Sequence, residues 1–305
     1  MTFPVGLRLV LGGNVFGWTA DEPTGRAVLD RFADAGGTLV DTADVYSAWV
    51  DGHTGGESEL IIGRWLATRP AGDRPQVATK VSQHPQFTGL SAATVKAAAQ
   101  ASLTRLGLDQ LDLYYAHFDD AQTPIAETAG AFSELVDEGL VAAIGISNYS
   151  PERIDEWFAA VAADGLHAPV ALQPHYNLVE RGYEEQLAAR AREHDLAVFP
   201  YFGLARGFLT GKYRDGGAAV DSPRAGGALP YLDDRGRRVL AVLDELAAAH
   251  STSQAAVALS WLHAQPTVTA PIASARTLGQ LDDLLASARL DLAPDELAAL
   301  GAASV

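Results

Sequence analysis

The chain of 305 residues contains no cysteine. Disulfides, thiolate metal ligands and cysteine nucleophiles are therefore excluded. It also lacks a long apolar run, since none reaches the roughly 18 residues that a membrane-spanning helix needs. Its first residues, MTFPVGLRLVLGGNVFG, show no basic segment ahead of an apolar stretch and no small-x-small cleavage site. We therefore expect a cytoplasmic protein with no membrane partner.

Basic charge is scarce as well. Lys and Arg number 22 against 38 Asp and Glu, which gives a formal net charge of −16. An acidic surface repels phosphate backbones, so we expect no nucleic-acid partner. The 48% of apolar residues and 20% of charged residues are typical of a folded globular enzyme with a large core.

Short apolar runs alternate with amphipathic helical stretches along the whole chain. Strands are predicted at 7–11, 38–41, 77–80, 111–117, 141–147, 170–173, 197–201 and 268–272. Helices are predicted at 24–35, 58–68, 91–106, 124–138, 151–163, 183–194, 233–264 with a break near 250–253, and 277–286, with a tail at 294–300. Eight such β-then-α units predict a single (β/α)8 barrel, an α/β fold, over residues 1–305.

A doubly wound open sheet is the alternative fold. It would normally bind a dinucleotide through G-x-G-x-x-G after the first strand. Gly12, Gly13 and Gly17 do not have that spacing. Two loops, 46–56 and 202–232, are too long for plain connectors, and both follow predicted strands at the end where barrel enzymes place their sites.

Several strands end in residues that can carry chemistry. Asp41, Lys80 and His117 close the second, third and fourth strands, and Tyr46 lies just beyond the second. Neighbouring barrel strands bring their carboxyl ends together, so we expect these side chains to converge. Lysine occurs only three times in the chain, and Lys80 ends a strand that is predicted to be buried. It needs an anionic neighbour there, and Asp41 is the natural partner, although a purely structural ion pair is an alternative.

Further polar and aromatic residues follow the later strands. Ser147 and Asn148 end the fifth, Gln173 the sixth and Tyr201 the seventh. An aromatic substrate pocket is a further hypothesis, formed by Trp18, Tyr46, Trp49, Phe118, Tyr176 and Phe202.

Taken in order, these segments resemble the aldo-keto reductase family over nearly the entire chain. The matching segments are DTADVY with Asp41 and Tyr46, VATK with Lys80, LDLYYAH with His117, GISNYS with Ser147 and Asn148, QPHYNLVER with Gln173, and PYFGLARGFLTGKY with Tyr201. The resemblance implies a (β/α)8 barrel, an NADP(H) cofactor and the reduction of a small-molecule aldehyde or ketone to an alcohol.

The resemblance also implies roles for individual residues. Tyr46 would be the proton donor, and the Lys80 ammonium beside it would lower the pKa of its phenol. Asp41 would hold Lys80 charged and oriented, and His117 would orient the carbonyl oxygen. Asn148 and Gln173, with Ser147 beside them, would bind the nicotinamide carboxamide, and Tyr201 would stack on the ring. The pyrophosphate would lie at Leu204, Gly207 and Lys212, and the 2′-phosphate at Ser274, Arg276 and Gln280. Ala273 and Leu284 stand where many relatives have a lysine and an asparagine.

Two other functions are compatible with a barrel of this kind. A metal-dependent hydrolase would need clustered ligands such as a His-x-His pair, and the eight histidines are scattered, so no metal site is expected. A nicotinamide-binding regulator without turnover is the second alternative. The sequence does not predict the physiological substrate or the oligomeric state.

Overall fold

The computed structural model describes residues 5–214 and 222–305. Within them the strands are β1 (Val10–Gly12), β2 (Leu39–Asp41), β3 (Gln76–Val81), β4 (Gln83–His84), β5 (Phe87–Thr88), β6 (Leu113–Ala116), β7 (Ile144–Ser147), β8 (Ala171–Gln173), β9 (Ala197–Val198) and β10 (Ile272–Ala273). All except β4 and β5 belong to one parallel sheet in the order β10-β1-β2-β3-β6-β7-β8-β9.

The two outer strands of this order face each other and close the barrel. Val198 forms a parallel bridge with Val268. The backbone N–H of Thr269 donates to the Val198 carbonyl at 2.9 Å, and that of Ile272 donates to the Pro200 carbonyl at 2.8 Å. The eight parallel strands thus form the predicted (β/α)8 barrel, and the open doubly wound sheet is excluded.

Helices follow the strands and cover the outside of the barrel. They are α1 (Glu22–Asp34), α2 (Glu57–Leu66), α3 (Ala92–Leu106), α4 (Ile125–Asp137), α5 (Pro151–Asp164), α6 (Leu187–Glu193), α7 (Ala225–Ala228), α8 (Asp234–Ala249), α9 (Gln254–His263), α10 (Leu278–Ser287) and α11 (Pro294–Ala303). Turns of 3₁₀ helix lie at Ala71–Asp73, Gly182–Glu184, Ala205–Thr210 and Leu229–Tyr231.

Local signals explain several helix ends. Ser91 and Ser150 cap α3 and α5 by accepting from the backbone N–H groups three residues further on, and Pro151 occupies the first turn of α5. The predicted break near 250–253 is present, because α8 ends at Ala249 and Ser253 caps α9.

Two apolar clusters hold the fold together. The larger lies between the sheet and the helices, and the smaller fills the barrel interior, where it includes Val10, Leu39 and Tyr115. The Tyr115 ring occupies the space beside Gly145, where an added Cβ would lie 2.4 Å from the ring. Gly145 is therefore needed so that a large ring can fill the interior next to the site.

The structure differs from the prediction at several strand ends. Predicted strands 111–117 and 141–147 begin as a single bridge between Leu111 and Val141, and their ladder forms only from Tyr114 and Ile144. The predicted strands 7–11 and 268–272 are displaced toward their carboxyl ends. The hairpin of β4 and β5 was not predicted. None of the described helices is both long enough and apolar enough to span a bilayer.

Candidate active site

A cavity of about 810 Å³ opens at the carboxyl ends of the barrel strands. Gly12, Asp41, Ser147 and Gln173, each the last residue of its strand, line it. Parallel strands place such residues at one end of the barrel, which is where the sequence predicted the site. This volume lies within the range of roughly 300–1,000 Å³ that is usual for small-molecule and cofactor sites.

Lys80 and Asp41 form a buried ion pair at the floor of this cavity. The Lys80 side chain is 0% exposed, and its Nζ donates to Asp41 Oδ2 at 2.7 Å and to the Thr42 carbonyl at 2.5 Å. The second Asp41 oxygen accepts from Gln173 Nε2 at 2.8 Å. Asp41 borders the cavity, whereas Lys80 is not part of its lining.

The charges of this pair follow from their partners. Burial alone would lower the pKa of Lys80, but Asp41 and Tyr46 outweigh it and raise that pKa. Burial raises the pKa of Asp41 against the opposing effect of Lys80. Both Asp41 oxygens accept hydrogen bonds, the arrangement expected of a carboxylate, so we treat the pair as ionic.

Tyr46 lies between Lys80 and the cavity. Its ring centre is 5.1 Å from Lys80 Nζ and 6.2 Å from the centre of the His117 ring. Burial raises the pKa of the Tyr46 phenol and Asp41 adds to that effect, while Lys80 opposes both. A lowered pKa was predicted from the ammonium of Lys80 alone. In this structure burial is the larger effect, so the phenol holds its proton firmly.

A carboxylate fixes the loop that carries Tyr46. Glu57, at the start of α2, accepts from the backbone N–H of Ser47 at 3.2 Å, of Thr54 at 2.8 Å and of Gly55 at 3.1 Å. Both ends of loop 46–56 are thereby tied to one side chain. This explains how a loop with little regular structure can hold the phenol in a defined place.

His117 supplies a neutral imidazole to the cavity wall. Burial, with a further contribution from Lys80, holds the pKa of His117 well below its usual range. Its Nδ1 is buried and has no hydrogen-bond partner among the described residues. A neutral ring carries a proton on one nitrogen, so His117 can donate one hydrogen bond to a group in the cavity.

A chain of hydrogen bonds links the ends of β7 and β8 to the segment after β9. Asn148 Nδ2 donates to the His117 carbonyl at 2.9 Å and to Ser147 Oγ at 3.0 Å, and Ser147 Oγ donates to the Gln173 carbonyl at 2.8 Å. The Tyr201 hydroxyl donates to Asn148 Oδ1 at 2.7 Å. All four side chains line the cavity, so the structure brings this predicted set together.

The residues predicted to bind phosphates also lie in the cavity wall. They are Leu204, Gly207, Lys212, Ser274, Arg276 and Gln280. Gly207 has a φ of +94°, and an added Cβ would lie 3.1 Å from Lys212 Nζ, so glycine is required there. The backbone N–H of Arg276 donates to Gln280 Oε1 at 3.0 Å.

The cavity residues that were not predicted include Asn14, Arg206 and Arg224. Arg206 lies over the Phe202 ring at 4.1 Å, and Arg224 over the Trp18 ring at 5.4 Å. The cavity wall of an acidic chain thus contains four cations, Lys212, Arg206, Arg224 and Arg276. Such a wall fits a polyanionic dinucleotide. The one available signal was the set of arginines in otherwise small or polar loop segments.

The predicted aromatic pocket is largely present. Trp18, Tyr46, Trp49, Phe118 and Phe202 line the cavity. Tyr176 was wrongly included: it is buried, packs against Tyr183 and Trp261, and its hydroxyl donates to Glu184 at 2.7 Å. The part of loop 202–232 at residues 215–221 lies outside the described residues.

A second buried ionic group lies close to the site but does not reach the cavity. Glu59 on α2 is 0% exposed and accepts from Thr79 Oγ1 at 2.5 Å and from Arg105 Nε at 2.6 Å. Asp44 is also 0% exposed, and neither of its carboxyl oxygens has a hydrogen-bond partner in the described chain. Burial, together with the charge of Glu59, raises the pKa of Asp44 to about 8.

Comparison with known proteins agrees with this geometry. The profile of the Aldo/keto reductase family matches residues 8–304. The chain therefore belongs to the aldo-keto reductases, oxidoreductases that generally use nicotinamide cofactors to reduce carbonyl groups. Its residues 5–214 and 222–305 contain no group of three or more His, Cys, Asp or Glu that could hold a metal ion.

Individual relatives cover most of the chain. Aldo-keto reductase YhdN of Bacillus subtilis is 34% identical over 284 residues, which are 90% of this chain and 81% of the relative. The uncharacterized oxidoreductase YrpG of the same organism is 32% identical over 93% of this chain and 88% of its own length. A probable aldo-keto reductase 1 of Glycine max is 30% identical over 90% of this chain and 78% of its own length.

Proposed function

We propose that this protein reduces aldehyde or ketone substrates to alcohols with NADPH and that Tyr46 is the proton donor. One observation carries the proposal: the Tyr46 phenol faces the cavity, while the charged Lys80 behind it is sealed from the cavity. Carbonyl reduction requires a protonated acid that contacts the substrate. It also requires an ammonium that contacts this acid but not the substrate.

The four residues have complementary roles. A bound nicotinamide dinucleotide supplies the hydride. As negative charge develops on the carbonyl oxygen, Tyr46 donates its proton to that oxygen. The Lys80 ammonium stabilises the resulting phenolate, and Asp41 keeps that ammonium charged and in place. The neutral His117 donates a hydrogen bond that orients the carbonyl oxygen.

The cavity wall would hold the cofactor in three parts. Ser147, Asn148 and Gln173 would bind the nicotinamide carboxamide, and the Tyr201 ring would pack on the nicotinamide. Lys212 and the backbone near Leu204 and Gly207 would bind the pyrophosphate. The 2′-phosphate would lie at Ser274, Arg276 and Gln280. The cations of the wall and the glycine required at position 207 support this assignment.

Replacing Tyr46 with phenylalanine tests the proposal directly. Tyr46→Phe keeps the ring but removes the proton donor, so we expect kcat for carbonyl reduction to fall by roughly 100-fold or more. The affinity for NADPH, measured by fluorescence titration, should change little. Reduction within a few-fold of the wild-type rate would refute the assignment of Tyr46.

Arg276 tests the preference for the phosphorylated cofactor. A guanidinium suits the oxygens of a 2′-phosphate, and a charge-assisted bond of this kind is worth roughly 10- to 150-fold in affinity. Because Ala273 and Leu284 replace the further polar groups of many relatives, we expect the lower half of that range. Arg276→Ala should weaken NADPH binding and leave NADH binding nearly constant. An equal loss for both cofactors, or tighter NADH binding in the wild type, would contradict the preference.

A further inference from the structure

Arg224 is a cavity cation whose contacts among the described residues are an amide oxygen and an aromatic ring. Its Nη2 donates to Asn14 Oδ1 at 3.1 Å, and its guanidinium packs over the Trp18 ring. Two other arginines, Arg276 and Arg206, act on it by charge repulsion. No Asp or Glu of residues 5–214 and 222–305 forms an ion pair with it.

The absence of an anionic partner makes the charged form of this guanidinium less stable. Burial, followed by repulsion from Arg276, lowers the pKa of Arg224 from its ordinary value. A largely buried cation is stable when an anion pairs with it, and an amide oxygen is only a partial substitute. An anionic group bound in the cavity would supply the missing partner.

Asn14 extends this site by a second donor. Its Oδ1 accepts from Arg224 and from Ser274 Oγ, the latter at 2.7 Å. Because a guanidinium has only donors, the atom that faces it must be the amide oxygen. The Asn14 Nδ2 group is then left to donate, so Arg224 and Asn14 together offer N–H donors to an anion.

Arg224 lies between the proposed 2′-phosphate residues, which it reaches through Asn14 and Ser274, and a row of aromatic rings that leads to Tyr46. The Trp18 ring under the guanidinium packs against Trp49 with ring centres 5.5 Å apart, and Trp49 packs against Tyr46 at 5.7 Å. The charge of Arg224 also acts on the Tyr46 phenol. Lys212 and Arg276 remain for the phosphates of the cofactor.

We propose that the substrate carries an anionic group, a carboxylate or a phosphate, close to its carbonyl group and that Arg224 and Asn14 bind it. The inference rests on the proposed function and adds the substrate class to it. The exposed rings of Trp49 and Phe118 at the same mouth, 48% and 41% exposed, suit a flat apolar body between carbonyl and anion. A carboxylated aromatic aldehyde combines these features.

A matched pair of substrates tests this specificity. We expect kcat/KM with NADPH to be at least about tenfold higher for 4-carboxybenzaldehyde than for its methyl ester, since a charge-assisted bond contributes on that order. Arg224→Gln should lower this ratio by about 10- to 100-fold. The control Arg237→Gln, which removes an exposed arginine of α8, should keep the wild-type ratio.

Two results would overturn the inference. One is a wild-type ratio near one, and the other is a ratio that Arg224→Gln does not change. The cofactor phosphates are the other possible source of the anion, so the dissociation constant of NADPH is measured for the same variants. A tenfold or greater loss of NADPH affinity in Arg224→Gln with an unchanged substrate ratio would assign Arg224 to the cofactor.

A binding measurement separates this inference from the proposed function. Benzoate and benzamide are titrated into the protein with NADP present, and tryptophan fluorescence is recorded because Trp18 lies under Arg224. Benzoate should bind at least about tenfold more tightly than benzamide, and Arg224→Gln should remove the difference. If neither aldehyde is reduced, the proposed function fails, and this titration still decides the anion site: equal binding of benzoate and benzamide would overturn it.

Discussion

Two buried ionic networks lie side by side beneath the barrel mouth, and they differ in one respect. In the pair Lys80–Asp41, Tyr46 lies between Lys80 and the cavity, and Asp41 borders that cavity. The pair Arg105–Glu59 has Thr79 and Asp44 as neighbours and does not line the cavity. Both use charges that are costly to bury.

The difference shows which property marks an active site in this chain. Burial and shifted pKa values occur in both networks, so neither identifies chemistry by itself. Only the first network contacts the cavity through a group that can donate a proton, the phenol of Tyr46. The second holds α2 and α3 against the barrel, because Glu59 lies on α2 and Arg105 on α3. The following variants test this division.

The largest effect is expected in the network without cavity access, on stability. Glu59→Gln leaves Arg105 without its counter-ion, and breaking a buried pair costs about 3 kcal/mol in the free energy of unfolding. Because neither residue lines the cavity, kcat should stay within about threefold of wild type, a change of under 1 kcal/mol. Urea unfolding and steady-state kinetics measure the two quantities. A large loss of kcat with unchanged stability would mean that the pair Arg105–Glu59 serves catalysis rather than stability.

A smaller effect is expected in the catalytic network, on the pH profile. Asp41→Asn removes an anion that raises the pKa values of both Tyr46 and Lys80. Both groups should then lose protons more readily. Reduction needs the protonated phenol, so the alkaline limb of kcat should move to lower pH, with a loss of roughly tenfold or more at the optimum.

The control for this variant is Asp51→Asn, which neutralises an exposed residue in loop 46–56. It should keep the wild-type pH profile. If Asp41→Asn is folded and also keeps that profile, Lys80–Asp41 is a structural pair like the other network.

A third effect is expected at Asp44, on the pH dependence of stability. The pKa of Asp44 is raised from 3.8 to about 8 in the folded chain, so the folded state keeps a proton that the unfolded state releases. Stability from this group is therefore present below pH 4 and is lost as the pH rises to about 8. The free energy of unfolding of Asp44→Asn should therefore increase relative to that of the wild type by about 1 kcal/mol per pH unit between pH 5 and pH 7.

Unfolding in urea at several pH values checks this slope, with exposed Asp109→Asn as the matched control. A difference between Asp44→Asn and wild type that does not change with pH would mean that Asp44 is ionised in the folded protein.

Much of the fold could be predicted from local patterns in the sequence. The caps at Ser91 and Ser150 and the break between α8 and α9 depend on residues within a few positions of each other. The β4–β5 hairpin could not be predicted, because two-residue strands are too short to show any periodicity. Strand ends were displaced where pairing depends on a neighbour far away in the chain, as at Leu111 and Val141.

The residues of the candidate site also include some that could be predicted from the sequence and some that could not. Asp41, Lys80 and His117 were predicted to meet because parallel strands align their ends, and the structure brings them together. Arg224 and Asn14 were missed, since their contact joins two loops 210 positions apart. The direction of the Tyr46 pKa was wrong, because the depth of burial is a property of the packed molecule.

Binding of the proposed cofactor across the closure between β9 and β10 would link cofactor supply to the stability of the protein. The segments that leave this seam are those proposed to hold the dinucleotide: Tyr201 and Lys212 follow β9, and Arg276 follows β10. A ligand bound to both segments would hold β9 and β10 together. At a ligand concentration of 100 times the dissociation constant, it would add about 2.7 kcal/mol to the free energy of unfolding. Apo chains would then open and be proteolysed first, so the steady-state amount of this protein would follow the pool of its own cofactor.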